Sequence, residues 1–231
     1  LKLVAESPQC PKSSCPSPEE YMSLYSCGAD RIYVVTLSSE LSGSYNSAEL
    51  GRKLFVEEQG EKQIYVFNSR SASVGESLIA LKIQECEDKG MEFTQVVDCV
   101  EAYIKGQNTY FVLENLDTLR KNGRLTGIKS LVASALNIKP VMGSTPRGTI
   151  CQLGQARGMK RALDKMVDYI VRNAVNTEEK ILAIAHCNCP ERAEQVRKML
   201  LDRVNVKSSF VVDTAGISTM YANDGGIIVV L

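Results

Sequence analysis

RIYVVTLSSELSGSYNSAELGRKL, residues 31–54, begins as a strand and finishes as a helix. Its apolar run, 32–37, breaks into a cluster of hydroxyls and one glycine before helical spacing takes over. α/β proteins hold anions with this arrangement. The strand brings the chain to the sheet edge, and the first turn of the next helix offers unpaired N–H groups and the positive end of its dipole. Ser38, Ser39, Ser42 and Ser44 place side-chain donors at the same point. No Lys follows in the GK[ST] order of a nucleotide P-loop, so the expected anion is one carboxylate or a small phosphate, not a triphosphate.

Composition narrows the classes. The chain has 231 residues, 44% of them hydrophobic, enough for one large or two modest cores. Lys plus Arg and Asp plus Glu balance at 27 each, so no net field favours nucleic acid or an anionic membrane. A single histidine, His186, limits acid–base chemistry and excludes a multi-histidine metal site. No apolar run approaches the ~20 residues of a bilayer span, and residues 1–5 lack the basic flank of a signal peptide. A cytoplasmic protein is expected. Because the first residue is Leu, the chain reads as a piece of a longer one. The eight cysteines are irregularly spaced, and even His186-Cys187-Asn188-Cys189 lacks the pairing of a zinc site; free thiols are expected, with no metal.

Working outward, Ser17-Pro18-Glu19-Glu20 is a helix start, with Ser as N-cap, Pro first and Glu third. That helix is expected to stop at Gly28. A second strand, 63–67, meets another hydroxyl-rich turn, Asn68 to Ser73, and a helix from 75 to 89 stopped by Gly90. A helix over 93–105 then precedes a strand over 109–113. The αβαβ rhythm predicts a parallel sheet with ligand sites at the strands' carboxyl ends. Beyond Gly106 the texture changes. Helices are predicted over 117–123, 126–136, 159–172 and 191–202, with strands over 140–143, 150–155, 181–185, 209–212 and 226–230. Antiparallel pairing is expected there, and residues 223–226 read as a tight turn. Two domains follow: an α/β domain over 1–106 and an α+β domain over 107–231.

Six segments, in order, are similar to the DegV family of bacterial lipid-binding proteins: PKSSCPSPEEY (11–21), SSELSGSYNSA (38–48), NSRSASVGE (68–76), TYFVLENLDTLRKNGRLTG (109–127), NIKPV (137–141) and ARGMKRAL (156–163). Each alone is weak; the ordered set is specific. The resemblance implies a two-domain α/β protein, with a parallel-sheet first domain and an α+β second domain, enclosing one long-chain fatty acid in a tunnel between them. It implies a non-catalytic subunit that presents the carboxylate to a separate ATP-dependent fatty-acid kinase subunit, which makes acyl phosphate. No cofactor beyond the bound fatty acid is implied.

By the same resemblance, the carboxylate falls to Ser13 and Ser14, which match a TS-x-P segment, and to Ser39, Ser42 and Gly43 of the SSxLSG turn; Ser38 matches a hydroxyl of that turn too. Arg157 matches the Arg of an RGxKKA segment, at a tunnel mouth or partner contact. Two departures stand out. The family's opening ITDS-like strand has no counterpart, so the first domain is expected to be N-terminally incomplete. The family's late His is absent, and Met220 or Tyr221 stands about where it would be.

The chemistry fits such a ligand. Burying a long acyl tail gains on the order of 10 kcal/mol before entropy costs, and the tail is expected among apolar residues including Ile128, Leu131 and Leu136. The head needs donors, because a buried unpaired carboxylate costs several kcal/mol. Hydroxyls hold it without an ion pair that locks it in place. Bland readings stay beside these. Ser38, Ser39 and Ser42 also suit helix capping, Ser13 and Ser14 a plain loop, and Arg157 a solvated face with Lys160 and Arg161. Arg120, Lys121 and Arg124 read as surface charge and turn chemistry. The alternative function is a phosphotransferase or hydrolase using a serine of the 38–42 turn, with His186 as the only histidine base.

Overall fold

The computed structural model describes residues 1–7, 9–125 and 137–231. The helix expected over 126–136, with Ile128, Leu131 and Leu136, lies outside the described residues. In chain order the elements are α1 (Lys2–Glu6), α2 (Pro18–Tyr25), β1 (Arg31–Thr36), α3 (Ser44–Gln59), β2 (Gln63–Asn68), α4 (Val74–Asp88), α5 (Phe93–Gly106), β3 (Thr109–Val112) and α6 (Asp117–Lys121). Then come β4 (Ile138–Ser144), β5 (Ile150–Arg157), α7 (Met159–Asn173), a 3-10 turn (Thr177–Glu179), β6 (Ile181–His186), α8 (Pro190–Leu201), β7 (Ser208–Asp213), α9 (Gly216–Ala222) and β8 (Ile227–Val230).

The chain forms two compact units, Ser14–Gln107 with Pro146–Thr149, and Leu1–Ser13 with Asn108–Thr145 and Ile150–Leu231. A single cut after residue 106 therefore misassigns two segments. Residues 10–13 belong with the later chain because Asn122 Nδ2 donates to the Pro11 carbonyl at 2.9 Å and the Ser13 hydroxyl meets that of Tyr221 at 3.2 Å. The 146–149 turn belongs with the earlier chain because the buried Ser38 hydroxyl donates to the Gly148 carbonyl at 2.9 Å.

In the unit built on Ser14–Gln107, β1 and β2 pair in parallel from Arg31↔Gln63 to Thr36↔Asn68. Their period-2 alternation feeds two cores, which is why both strands read as unbroken apolar runs. Ile32, Val34 and Ile64 pack with Tyr25 and Phe55 of α2 and α3. Tyr33, Val35, Tyr65 and Phe67 face Ile79, Ile83, Val96 and Val100 of α4 and α5. The capping box at α2 forms as expected: Glu20 N donates to Ser17 Oγ at 3.2 Å and Ser17 N to Glu20 Oε2 at 2.6 Å. The helix ends at Tyr25, short of Gly28. Gly51 lets α3 approach α2 closely; a Cβ there would lie 2.5 Å from the Pro18 carbonyl oxygen.

In the other unit the described strands form one sheet in the order β5-β4-β3-β8-β6-β7. Antiparallel pairing holds from β5 to β6, with a bulge between Val141 and Met142. The last pair, β6–β7, is parallel, because α8 carries the chain across between them. One sheet face, with Tyr110, Val112, Ile184 and Val229, meets Met166 and Ile170 of α7 and Val196 and Leu200 of α8. The opposite face, with Phe111, Leu113 and Met142, meets Leu119 of α6 and Tyr221 of α9.

Candidate ligand-binding site

The chain leaves β1 at Thr36 and reaches α3 at Ser44, and the intervening turn is laced by its own hydroxyls. Ser38 N donates to the Ser71 carbonyl at 3.0 Å, and its carbonyl accepts from Leu41 N and Ser42 N at 2.9 and 3.1 Å. Its side chain donates to Gly148 and accepts Glu40 N at 3.3 Å, so Ser38 is fully used as a brace between two turns. Gly148 takes φ +89°, and a Cβ there would sit 2.3 Å from Ser38 Oγ.

Ser39 is placed differently. Asn68, at the end of β2, bridges the turns: its Oδ1 accepts Ser39 N and Arg70 N, both at 3.1 Å, and its Nδ2 donates to Ser39 Oγ at 2.7 Å. With Oγ an acceptor in that bond, the half-buried hydroxyl can still donate its own proton. Ser42 Oγ lies 2.9 Å from Ser44 Oγ and accepts Ser44 N at 3.2 Å. Gly43 is the exposed N-cap of α3 with an ordinary helical φ of −72°. Its smallness matters against Cys15, whose Sγ would be 3.2 Å from a Cβ. Helix geometry leaves the first-turn N–H groups of Tyr45 and Asn46 without intrahelical acceptors. Ser39, Ser42 and Gly43 thus share one turn that can receive an oxyanion.

Two other polar groups in this unit bear on the turn. Tyr21 of α2 bonds the Ser44 side chain, and burial raises the phenol's pKa. Glu76, in the first turn of α4, is pushed up to about 7 by burial, against the lowering effect of Ser73 N, which donates to it at 3.1 Å. The sequence carries one signal for Asn68, its place at a strand end just before serines. Thr145-Pro146-Arg147-Gly148 reads locally as a turn, but nothing in the sequence ties Gly148 to Ser38, 110 positions away.

In the six-strand unit, Ser13 Oγ meets Tyr221 OH at 3.2 Å, and the Arg124 guanidinium lies over the Tyr221 ring at 5.8 Å. Arg124 also donates to the Asn122 carbonyl at 2.6 Å. That bond is the turn chemistry expected of Arg124. Its half-buried place over an aromatic ring is not foreseeable, because Arg124 and Tyr221 are far apart in sequence. Met220 is half-buried and Ser14 is exposed. Arg157 ends β5, exposed, near the exposed Lys160 and Arg161 of α7. His186 is buried at the end of β6, with Cys189 N donating toward its Nδ1 at 3.3 Å and an Asp213 carboxylate oxygen 3.4 Å from the same nitrogen. Residues 223–226 form the expected turn, with Gly226 N donating to the Asn223 carbonyl at 3.2 Å.

Among the described residues, no group of three or more His, Cys, Asp or Glu is placed to hold a metal ion. No described helix is long and apolar enough to cross a membrane.

A family model described as "Uncharacterised protein, DegV family" matches residues 1–230. The chain belongs to the DegV family. A DegV domain-containing protein of Streptococcus gordonii is 33% identical over 217 residues, 94% of this chain and 76% of the relative. A DegV-family crystal structure from Ruminococcus gnavus, refined with vaccenic acid, is 71% identical, with TM-score 0.96 over 99% of this chain and 81% of that one. The fatty acid kinase (Fak) B3 protein of Streptococcus pneumoniae, loaded with linoleic acid, is 30% identical, with TM-score 0.89 over 99% of this chain and 80% of that one. The mixed α/β architecture of both units is thus that of solved DegV proteins.

Proposed function

We propose that this protein binds one long-chain fatty acid and presents its carboxylate to an ATP-dependent fatty-acid kinase subunit for acyl-phosphate formation, contributing no catalytic residue itself. The observation that carries the proposal is the 71% identity to a DegV structure containing vaccenic acid. The 30% identity to the Fak B3 protein supports the kinase partner. We assign the head to the hydroxyls of Ser13, Ser14, Ser39 and Ser42 and to the Gly43 backbone, with Met220 or Tyr221 about where the family's histidine stands. Arg157, exposed and basic, suits contact with the kinase. A cytoplasmic setting, where kinase and ATP are available, completes the reading.

Hydroxyl donors are suited to this task. They satisfy a carboxylate's lone pairs yet leave its oxygen nucleophilic, whereas a bidentate arginine clamp withdraws charge from the atom that must attack phosphorus. Native mass spectrometry of the protein purified from bacteria, with and without added vaccenic acid, tests the binding step. The expected species is heavier by one fatty acid. Protein that stays ligand-free after incubation with vaccenic acid contradicts the proposal.

A further inference from the structure

Tyr221 lies on α9, a helix of seven residues that makes too few internal bonds to fix its own place. Its position is inherited from what holds its ends. The turn that follows it is tied by charge. Glu114, just beyond β3, receives Lys139 Nζ at 2.8 Å on one carboxylate oxygen and Arg192 Nη1 at 3.1 Å on the other. Lys139 Nζ also donates to the Glu114 carbonyl at 2.6 Å. The same Arg192 nitrogen donates to the Gly225 carbonyl. Gly225, at φ +81°, passes so close that a Cβ would lie 2.8 Å from Arg192 Nη1 and 3.0 Å from Glu114 Cγ. Gly225 N and the Gly226 carbonyl in turn bond Cys187 at 2.8 and 3.0 Å.

An Arg–Glu pair on an open surface contributes little. This pair is different in what it touches: the side chains are 28% and 35% exposed, and the guanidinium also satisfies a backbone carbonyl of the turn. The chain of contacts runs Glu114, Arg192, Gly225, the 223–226 turn, α9, Tyr221, Ser13.

We propose that Arg192 and Glu114 are positioning residues that set the 223–226 turn and so hold the Tyr221 hydroxyl against Ser13 for fatty-acid head binding. This rests on the fatty-acid reading above and names two residues that support its site without touching ligand. Charge-assisted bonds to a backbone carbonyl are strong enough that their loss lowers affinity about tenfold.

The test is a double-mutant cycle on the full chain, measuring the vaccenic acid dissociation constant for Arg192→Gln with Tyr221 present and in a Tyr221→Phe background. About tenfold weakening in the first case and almost none in the second is expected. Equal weakening in both backgrounds, the mark of a merely structural role, overturns the proposal. Glu114→Gln, which keeps the shape and one acceptor, gives the same pattern at smaller size if Arg192→Gln fails to fold. The Tyr221 ring resonances in ligand-free protein supply a readout independent of binding. They shift in a folded Arg192→Gln or Glu114→Gln variant, and unchanged resonances also overturn it. Absence of vaccenic acid binding by the unsubstituted protein condemns the fatty-acid reading instead, leaving the resonances to judge the brace.

Discussion

The two units solve the problem of holding polar groups in place by different means. In the two-strand unit, the 38–44 turn is stitched by neutral hydroxyls and one amide: Ser38 to Gly148, Asn68 to Ser39, Ser42 to Ser44. In the six-strand unit, Ser13 and Tyr221 are flanked by charge, Arg124 over the ring and Glu114–Arg192 behind the turn. The difference teaches that a serine-rich turn divides its labour. Some hydroxyls are consumed in building the loop, and only those with a proton left over can meet a ligand. Ser38 is of the first kind and Ser39 of the second.

The harshest way to break the comparison is to disturb the scaffold beneath one turn only. Gly51→Leu drives a side chain into the Pro18 carbonyl at the α2–α3 contact and is expected to cost about 3 kcal/mol or more in denaturant unfolding. Next comes Glu76. Its carboxyl is raised in the fold to about 7 from an ordinary value of 4.5, so between those values the folded state binds the extra proton. Stability from this group is greatest at the acid end, falls as pH rises from about 4.5 to about 7, and is flat above. Glu76→Gln is therefore expected to stabilise by on the order of 2 kcal/mol at pH 8 and by almost nothing at pH 4.5, read as melting temperature against pH.

Smaller effects sharpen the division of labour. Ser38→Ala is expected to cost roughly 1–2 kcal/mol of stability, because it strips the buried Gly148 carbonyl of its donor. Ser39→Ala is expected to change stability by less than about 1 kcal/mol yet weaken vaccenic acid binding about tenfold. The reverse pattern, with Ser38 governing affinity and Ser39 stability, contradicts this assignment of roles. Last is Tyr221→Phe, expected to weaken binding about tenfold, the ceiling for any loss that acts through its hydroxyl, while leaving the melt nearly unchanged.

Much of the fold was legible because its signals are local. The capping box at Ser17–Glu20, the apolar runs of β1 and β2 and the stripe of α7 each announce themselves within a few residues. The parallel β6–β7 pair was not, since pairing direction depends on where α8 returns the chain. Neither was α9, whose Ile217, Ser218 and Thr219 are indifferent helix formers; the Thr214–Thr219 hydroxyl contact at 2.9 Å helps hold it. The unit boundaries escaped for a similar reason, because residues 10–13 and 146–149 are claimed by partners more than a hundred positions away. At the site, the serines were visible as a cluster, but which of them are spent and which are free depends on Asn68 and Gly148, and the sequence places neither beside them.

A crystal structure of the protein with vaccenic acid puts the central claim to its most direct trial. The carboxylate is expected within hydrogen-bond distance of Ser39 or Ser42, with Ser38 still bonded to Gly148. A bound lipid whose head lies in solvent, or is held by arginine with those serines untouched, contradicts it.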